Sequence, residues 1–323
     1  MVVTVGAQEA MLLVLRALIR STDDLLAVAD PCYVGITGAA RLLDVETVPV
    51  PEGHDGLRLQ QLRAACRAAR HAGRRIRLCY VAPDFSNPGG NRMPRHQRER
   101  LLELAEAEDF LILEDNVYGF TAAPGDELPP LKALDRNRRV IHLGTFAKVC
   151  FPGARIGYVV ADQTVRTADG GSTLLAGQLA RLKSMVTVNT PPLSQAVIGG
   201  MLLEHGGSLA NRCRALSATY RRNLALLLDG LDRLAKAGLP PGVEWSRPAG
   251  GLFVRMRLSI PVDDALLARS ADSYGVLWTP MAHFHLGPGG NDMLRLSCSY
   301  LTPEQIRTGV LRLGEFLHGE IRR

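Results

Sequence analysis

Val140-Ile141-His142-Leu143-Gly144-Thr145-Phe146-Ala147-Lys148-Val149-Cys150-Phe151-Pro152-Gly153-Ala154-Arg155-Ile156-Gly157-Tyr158-Val159-Val160 is the stretch on which the reading of this chain turns. Its two ends, Val140 to Leu143 and Ile156 to Val160, are short apolar runs that predict buried strands. The loop between them holds Lys148 and Arg155. Lysine is scarce here: of 38 basic residues only Lys132, Lys148, Lys183 and Lys236 are lysines. A desolvated amine releases its proton more readily and can attack a carbonyl to form a Schiff base. A lysine kept between apolar strands, in a chain that otherwise uses arginine, therefore points to amine chemistry. Alone it reads better as a surface-loop residue, so the rest of the chain has to decide.

The chain has 323 residues, which suits a large domain plus a smaller one. Hydrophobic content of 46% with a mean hydropathy of +0.04 is that of a soluble globular protein. The longest apolar runs are broken by Arg or Asp well short of a membrane span. Met1 to Gly6 lacks the basic and apolar regions of a secretory signal. Cys32, Cys66, Cys79, Cys150, Cys213 and Cys298 show no CxxC spacing. That predicts small core residues in a reducing cytoplasm rather than a zinc site or a disulfide framework. The net charge of +6 is spread over helical segments, for example Arg63, Arg67, Arg70, Arg74 and Arg75. Without interleaved aromatics this predicts solvated faces, not a nucleic-acid interface.

Outward from the lysine loop, strands and helices alternate. Strands are predicted at Asp24 to Asp30, Val45 to Val50, Arg77 to Ala82 and Phe110 to Asp115, as runs without polar alternation. Helices are predicted from Ala7, after Tyr33, over Leu59 to Ala72 and over Pro94 to Glu108. The pattern implies an α/β fold, a mostly parallel sheet sandwiched by helices. After Ala161 the character changes. Helices at Gln178 to Val186, Pro191 to Glu204 and Ser208 to Ala237 precede strand-like runs at 251–256, 276–278 and 293–297. A last helix follows at Pro303 to Ile321, giving a smaller C-terminal α+β domain. The expected division is 1–207 for the large domain and 208–323 for the linking helix and small domain.

Chemistry gathers at predicted strand ends, where open α/β sheets bind their ligands. Asn87 lies in Ser86-Asn87-Pro88-Gly89-Gly90, Asp115 and Tyr118 in Leu113-Glu114-Asp115-Asn116-Val117-Tyr118-Gly119, then come Lys148 and Arg155. At the front, Gly6-Ala7-Gln8 opens a helix after a strand, a natural seat for a phosphate. The His283-Phe284-His285 pair has no third ligand, and the glycine-rich run Leu286 to Asp292 lacks nucleotide-binding spacing, so it reads as a hairpin loop. No metal site is expected.

These three motifs, in this order, resemble the pyridoxal-phosphate-dependent aminotransferases of fold type I, class I/II. The likeness is strongest to the branch with aminoadipate and kynurenine aminotransferases and MocR-type regulators, and it covers nearly the whole chain. The resemblance implies pyridoxal 5'-phosphate as cofactor, with Lys148, Asp115 and Tyr118 catalytic. Lys148 would hold the cofactor covalently and then move the substrate proton, and Asp115 would keep the pyridine nitrogen protonated. Asn87 and Tyr118 would bind the ring oxygen, and Tyr33 would stack on the ring. Arg155, Thr145 and the Gly6-Ala7-Gln8 turn would hold the phosphate. Arg295, in Met293-Leu294-Arg295-Leu296-Ser297, would take the substrate carboxylate, with Asn87 beside it.

The implied activity is transfer of an amino group between an α-amino acid and a 2-oxo acid by a ping-pong mechanism, in a cytoplasmic homodimer with the site at its interface. Elimination, decarboxylation or cyclisation on the same cofactor stays open, as does a MocR-like ligand-sensing role. Two positions depart from the family pattern. Ala7 and Ala147 stand where a hydroxyl is common, which predicts weaker cofactor retention. The resemblance starts at Thr4, and the N-terminal segment that family members carry before this turn has no counterpart in the 323 residues.

Overall fold

The computed structural model describes residues 1–167 and 170–321. Eight strands form the main sheet: β1 (Val2–Thr4), β2 (Asp24–Asp30), β3 (Thr47–Gly53), β4 (Gly56–Leu57), β5 (Arg75–Val81), β6 (Leu111–Asp115), β7 (Val140–Thr145) and β8 (Gly157–Val160). Their spatial order is β1-β8-β7-β6-β5-β2-β3-β4. The pairs β2–β3, β2–β5, β5–β6 and β6–β7 are parallel. The lysine loop joins β7 to an antiparallel neighbour, β8, and β8 pairs antiparallel with β1.

The central strands are apolar on both faces because helices cover both. Alternate side chains go to opposite cores. Leu26, Val28, Leu78, Leu113 and Ile141 pack under α1 (Gly6–Leu18), α2 (Val34–Leu42) and α6 (Leu175–Val186). Leu25, Ala27, Cys79, Ile112 and Val140 pack under α3 (Leu59–His71) and α4 (Arg95–Ala107). On α3, Leu62, Cys66 and Ala69 are buried, the face expected from their spacing. A short helix α5 (Leu131–Leu134) precedes β7, and a two-stranded ribbon of β9 (Thr164–Arg166) and β10 (Ser172–Leu174) precedes α6.

The C-terminal body is an antiparallel sheet of β11 (Glu244–Trp245), β12 (Phe253–Arg257), β14 (Met293–Ser297) and β13 (Thr279–Pro280), in that order. It packs with α8 (Ala210–Gly238), α9 (Asp264–Tyr274) and α10 (Pro303–Ile321) around its own apolar core. One expected strand is misplaced: 276–278 is not in the sheet. Ser270, on α9, takes both backbone groups of Val276, whose N–H donates to the Ser270 carbonyl at 3.1 Å while Ser270 Oγ donates to its carbonyl at 2.8 Å. Those groups are spent on closing the helix end, so pairing starts only at Thr279.

In chain order α7 (Pro192–Glu204) follows α6, apolar as expected, yet only Ile198 of it is buried, against Ala154 and Ile156. Leu193 and Leu203 are 79% and 84% exposed. Four cysteines are buried, but Cys150 and Cys213 are only half-buried, contrary to their reading as core residues. Both lie where α8 meets the lysine loop, a contact in which Arg212 donates to the carbonyls of Val149 and Cys150. Among the described residues no helix is long and apolar enough to cross a membrane.

Candidate active site

The carboxyl ends of β5, β6 and β7 open into a cavity of about 250 Å³. Its lining includes Ala7, Gln8, Tyr33, Asn87, Asp115, Tyr118, Thr145, Lys148, Arg155 and Arg295. Gly6 stands against Arg155 at its edge. Residues dispersed from position 6 to position 295 are thus brought together.

Asp115 ends β6 and is buried. Tyr80, on the adjacent strand β5, donates from its hydroxyl to Asp115 Oδ2 at 2.7 Å. The other oxygen, Oδ1, is buried with no hydrogen-bond partner. Burial pushes the carboxyl up to about 6, against the opposing pull of the Tyr80 hydrogen bond and His142. An unpaired carboxylate oxygen facing a cavity is costly unless a donor or cation comes to it.

Lys148 is half-buried, and its amine is held below the usual lysine range, first by burial and then by Arg155 and Arg295. Among the described residues no carboxylate pairs with it. These are the conditions that leave an amine free to react. Thr145, at the end of β7, accepts from the Ala147 N–H at 3.1 Å and donates to the Ile156 carbonyl at 3.4 Å, which braces the two stems of the loop.

At the other end of the cavity Arg155 takes a left-handed backbone, φ +50°, and meets the start of α1. A Cβ on Gly6 would stand 2.6 Å from the Arg155 guanidinium, and Gly6 itself has φ +71°. Only glycine both adopts that backbone and admits the arginine. The start of α1 has no side-chain cap, so its N–H groups and the guanidinium together favour an anion. Gln8 turns its amide to the Gly35 carbonyl at 2.7 Å, which pins α2. Tyr33 precedes that helix, and burial raises its phenol above the usual range.

Arg295 reaches the cavity from β14. Its guanidinium lies 4.3 Å from the Phe253 ring and 4.7 Å from the Phe284 ring. It donates to Asn87 Oδ1 and, at 3.2 Å, to Thr279 Oγ1, while Nε is buried without a partner. Tyr118, its phenol pushed up by burial, meets Phe253 edge-on at 5.8 Å. Sequence reasoning missed Tyr80, Phe253, Phe284 and Thr279. Each reads as an ordinary strand or loop residue, and no local signal marks it.

His283 and His285 do not converge: His283 pairs with Asp264 at 2.8 Å and His285 with Asp30 at 3.1 Å. No cluster of three or more His, Cys, Asp or Glu residues suited to a metal occurs among the described residues.

The residues fit pyridoxal phosphate on internal grounds. An orphaned carboxylate oxygen suits a protonated ring nitrogen, a free amine suits an aldehyde, and a helix N-terminus with an arginine suits a phosphate. Comparison with known proteins agrees. The family model for aminotransferase class I and II matches residues 1–313. The (S)-3,5-dihydroxyphenylglycine transaminase of Amycolatopsis orientalis is 49% identical over 321 residues, which is 99% of this chain and 72% of that protein. Aromatic-amino-acid aminotransferase 1 of Thermococcus litoralis is 32% identical over 320 residues, 99% of this chain and 73% of its own. The crystal structure of Pyrococcus horikoshii kynurenine aminotransferase superposes with a TM-score of 0.87 at 28% identity, covering 99% of this chain and 75% of that one. The chain belongs to the aminotransferases of class I and II, the pyridoxal-phosphate-dependent enzymes of fold type I.

Proposed function

We propose that this aminotransferase takes an aromatic α-amino acid as amino donor and works as a homodimer. Bound pyridoxal phosphate supplies an aldehyde for the donor's amino group and a cationic ring that takes up the electron pair left when the Cα–H bond breaks. Lys148 Nζ removes and holds the Cα proton, and burial, with Arg155 and Arg295 nearby, lowers its affinity for protons from the ordinary lysine value. Asp115 Oδ1 accepts from the ring nitrogen and keeps it protonated. Asn87 and Tyr118 donate to the ring oxygen, and Tyr33 covers one ring face. Arg155, the N–H groups of Ala7 and Gln8, and Thr145 form the phosphate seat. Arg295 binds the donor's carboxylate through paired N–H groups, beside Asn87. Water would release the donor as a 2-oxo acid with its amino group retained on the cofactor, and a second 2-oxo acid would take up that group, lose water and leave as an amino acid by the reverse course.

The observation that carries the substrate class is the setting of Arg295. A carboxylate bound there lies between the Phe253 and Phe284 rings, with Tyr118 close by, so the remaining side chain meets aromatic surface. The 49% identical relative acts on (S)-3,5-dihydroxyphenylglycine, an arylglycine. The test is to follow the cofactor's visible absorbance while single amino acids are added to the holoenzyme. Arylglycines and other aromatic amino acids are expected to discharge it far faster than aspartate or alanine. Equal rates for all of them would refute the aromatic assignment.

The dimer is supported by apolar surface next to the site. Phe151 on the lysine loop is 43% exposed, and a groove of about 450 Å³ bounded by Val3, Phe146, Ile156, Ile198 and Leu202 adjoins that loop. Surface of this kind marks an interface. Sedimentation should give twice the chain mass of 35.0 kDa. Six free thiols fit a reducing cytoplasm as its place of work.

A further inference from the structure

Phe284-His285-Leu286 belongs to the small body, yet it grips the large sheet just before Tyr33. The Cys32 N–H donates to the Phe284 carbonyl at 2.8 Å. His285 Nδ1 stands 3.1 Å from Asp30 Oδ1, and the Leu286 N–H donates to that same oxygen at 3.2 Å. Asp30 is the last residue of β2, three positions ahead of Tyr33. The imidazole is backed by two glycines: a Cβ on Gly289 would come 2.7 Å from its Nδ1, and one on Gly290 would come 2.8 Å from its Cδ2. At 16% side-chain exposure it fills the space between that glycine turn and Asp30. The residue before it, Phe284, has its ring against Arg295.

We infer that His285 is a positioning residue for the amino-acid substrate. Wedged between the glycine turn and Asp30, it holds Phe284 forward against Arg295 and ties that arginine to the segment that carries Tyr33. The distance between the carboxylate seat and the face of the cofactor is thereby set across the junction of the two bodies. The inference rests on the roles given above to Tyr33 and Arg295. The His285–Asp30 contact is partly buried, at 16% and 24% side-chain exposure, so its effect on the fold and its effect on the site have to be read separately. Displacement of a substrate-binding group by about 1 Å costs up to about a hundred-fold in rate. The clasp should therefore be felt in substrate use beyond what a loss of fold stability explains.

The test compares holoenzyme carrying His285→Ala, His285→Asn and Asp30→Ala with the parent, using the best aromatic donor found. His285→Ala is expected to raise the donor's KM about ten-fold or more, with kcat reduced by less than about three-fold. The bound cofactor's absorbance should stay unchanged, and any fall in melting temperature should be shared by His285→Asn. Asn carries an amide N–H that reaches the place of Nδ1, so His285→Asn should recover most of the KM. The double variant of His285→Ala with Asp30→Ala should be no worse than the poorer single one. Unchanged KM in His285→Ala overturns the inference. So does a KM rise that comes with a lower melting temperature and is not recovered by Asn, because that is the signature of general loosening. Arg295→Ala separates the two levels. If it too leaves KM unchanged, the carboxylate seat itself is wrong; if it alone raises KM, only the clasp fails.

Discussion

Asp115→Asn in the cofactor-free chain isolates the electrostatic design of the site. Burial raises this carboxyl from an ordinary 3.8 to about 6 in the folded chain. A raised folded value means that the folded state binds the proton more tightly than the unfolded one. The stabilisation tied to that proton is thus complete below about pH 4 and lost as the pH rises through about 6. The shift of about two units corresponds to about 3 kcal/mol at full ionisation. About 2 kcal/mol of it falls between about pH 4.5 and about pH 8. Asparagine keeps an acceptor for the Tyr80 hydroxyl and never ionises. Urea unfolding of both cofactor-free proteins at these two pH values should therefore show the parent losing about 2 kcal/mol relative to the variant as the pH rises. Bound pyridoxal phosphate would reverse the balance if its ring N–H meets Oδ1 as proposed, because that contact favours the ionised carboxylate. The variant should hold the cofactor more weakly although its empty form is the more stable one. If the difference between the two proteins does not change with pH, Asp115 is not the strained acid described.

Three further outcomes are expected. Lys148→Ala should leave no cofactor mass fixed to the chain by borohydride and should lower turnover by about a thousand-fold, whereas a surviving adduct at the normal site would show that another amine is used. Serine at both Ala7 and Ala147 should slow cofactor loss in dialysis about ten-fold, by adding hydroxyl donors to the phosphate seat; an unchanged loss rate would show that backbone N–H groups and Arg155 already saturate it. Arg98→Met should cost about 3 kcal/mol in urea unfolding, since Arg98 and Asp84 form a fully buried pair at 2.7 Å and the variant also strips the carbonyls of Met93, Pro83 and Pro129 of their donor. A change near zero would mean that the Asp84 charge is met by Arg92, which lies 3.1 Å away.

What was readable in the sequence follows a physical division. Asp115 ends a continuous apolar strand, and Asn87, Lys148 and Arg155 lie in loops bounded by such strands, so the strand pattern leads to their neighbourhood. Their roles came from the order of the motifs. Tyr80 was not readable because its partner Asp115 is distant along the chain, and only the parallel β5–β6 register brings the two together. Phe253 and Phe284 read as ordinary strand and loop residues, and only the fold sets both rings against Arg295. The misplaced strand at 276–278 failed for a different reason. Val276 and Trp278 are buried as the pattern implied, but Ser270 takes the Val276 backbone that a ladder would need. The surface of α7 shows the opposite limit. Its apolar sequence predicts burial, and a single chain supplies none for Leu193 or Leu203.

The strand order of the large sheet also sets a calendar for synthesis. All eight strands, and every residue here assigned to the cofactor, have been translated once Val160 leaves the peptidyl-transferase centre. Arg295 follows more than a hundred residues later, roughly 5 to 30 seconds at ordinary elongation rates of about 5–20 residues per second. A nascent chain thus possesses every residue proposed to hold the cofactor before it has Arg295 to take an amino acid's carboxylate. Loading of the cofactor on the ribosome would meet no competition from substrate, and the cofactor would serve as a folding ligand for a sheet whose second partner has yet to be made.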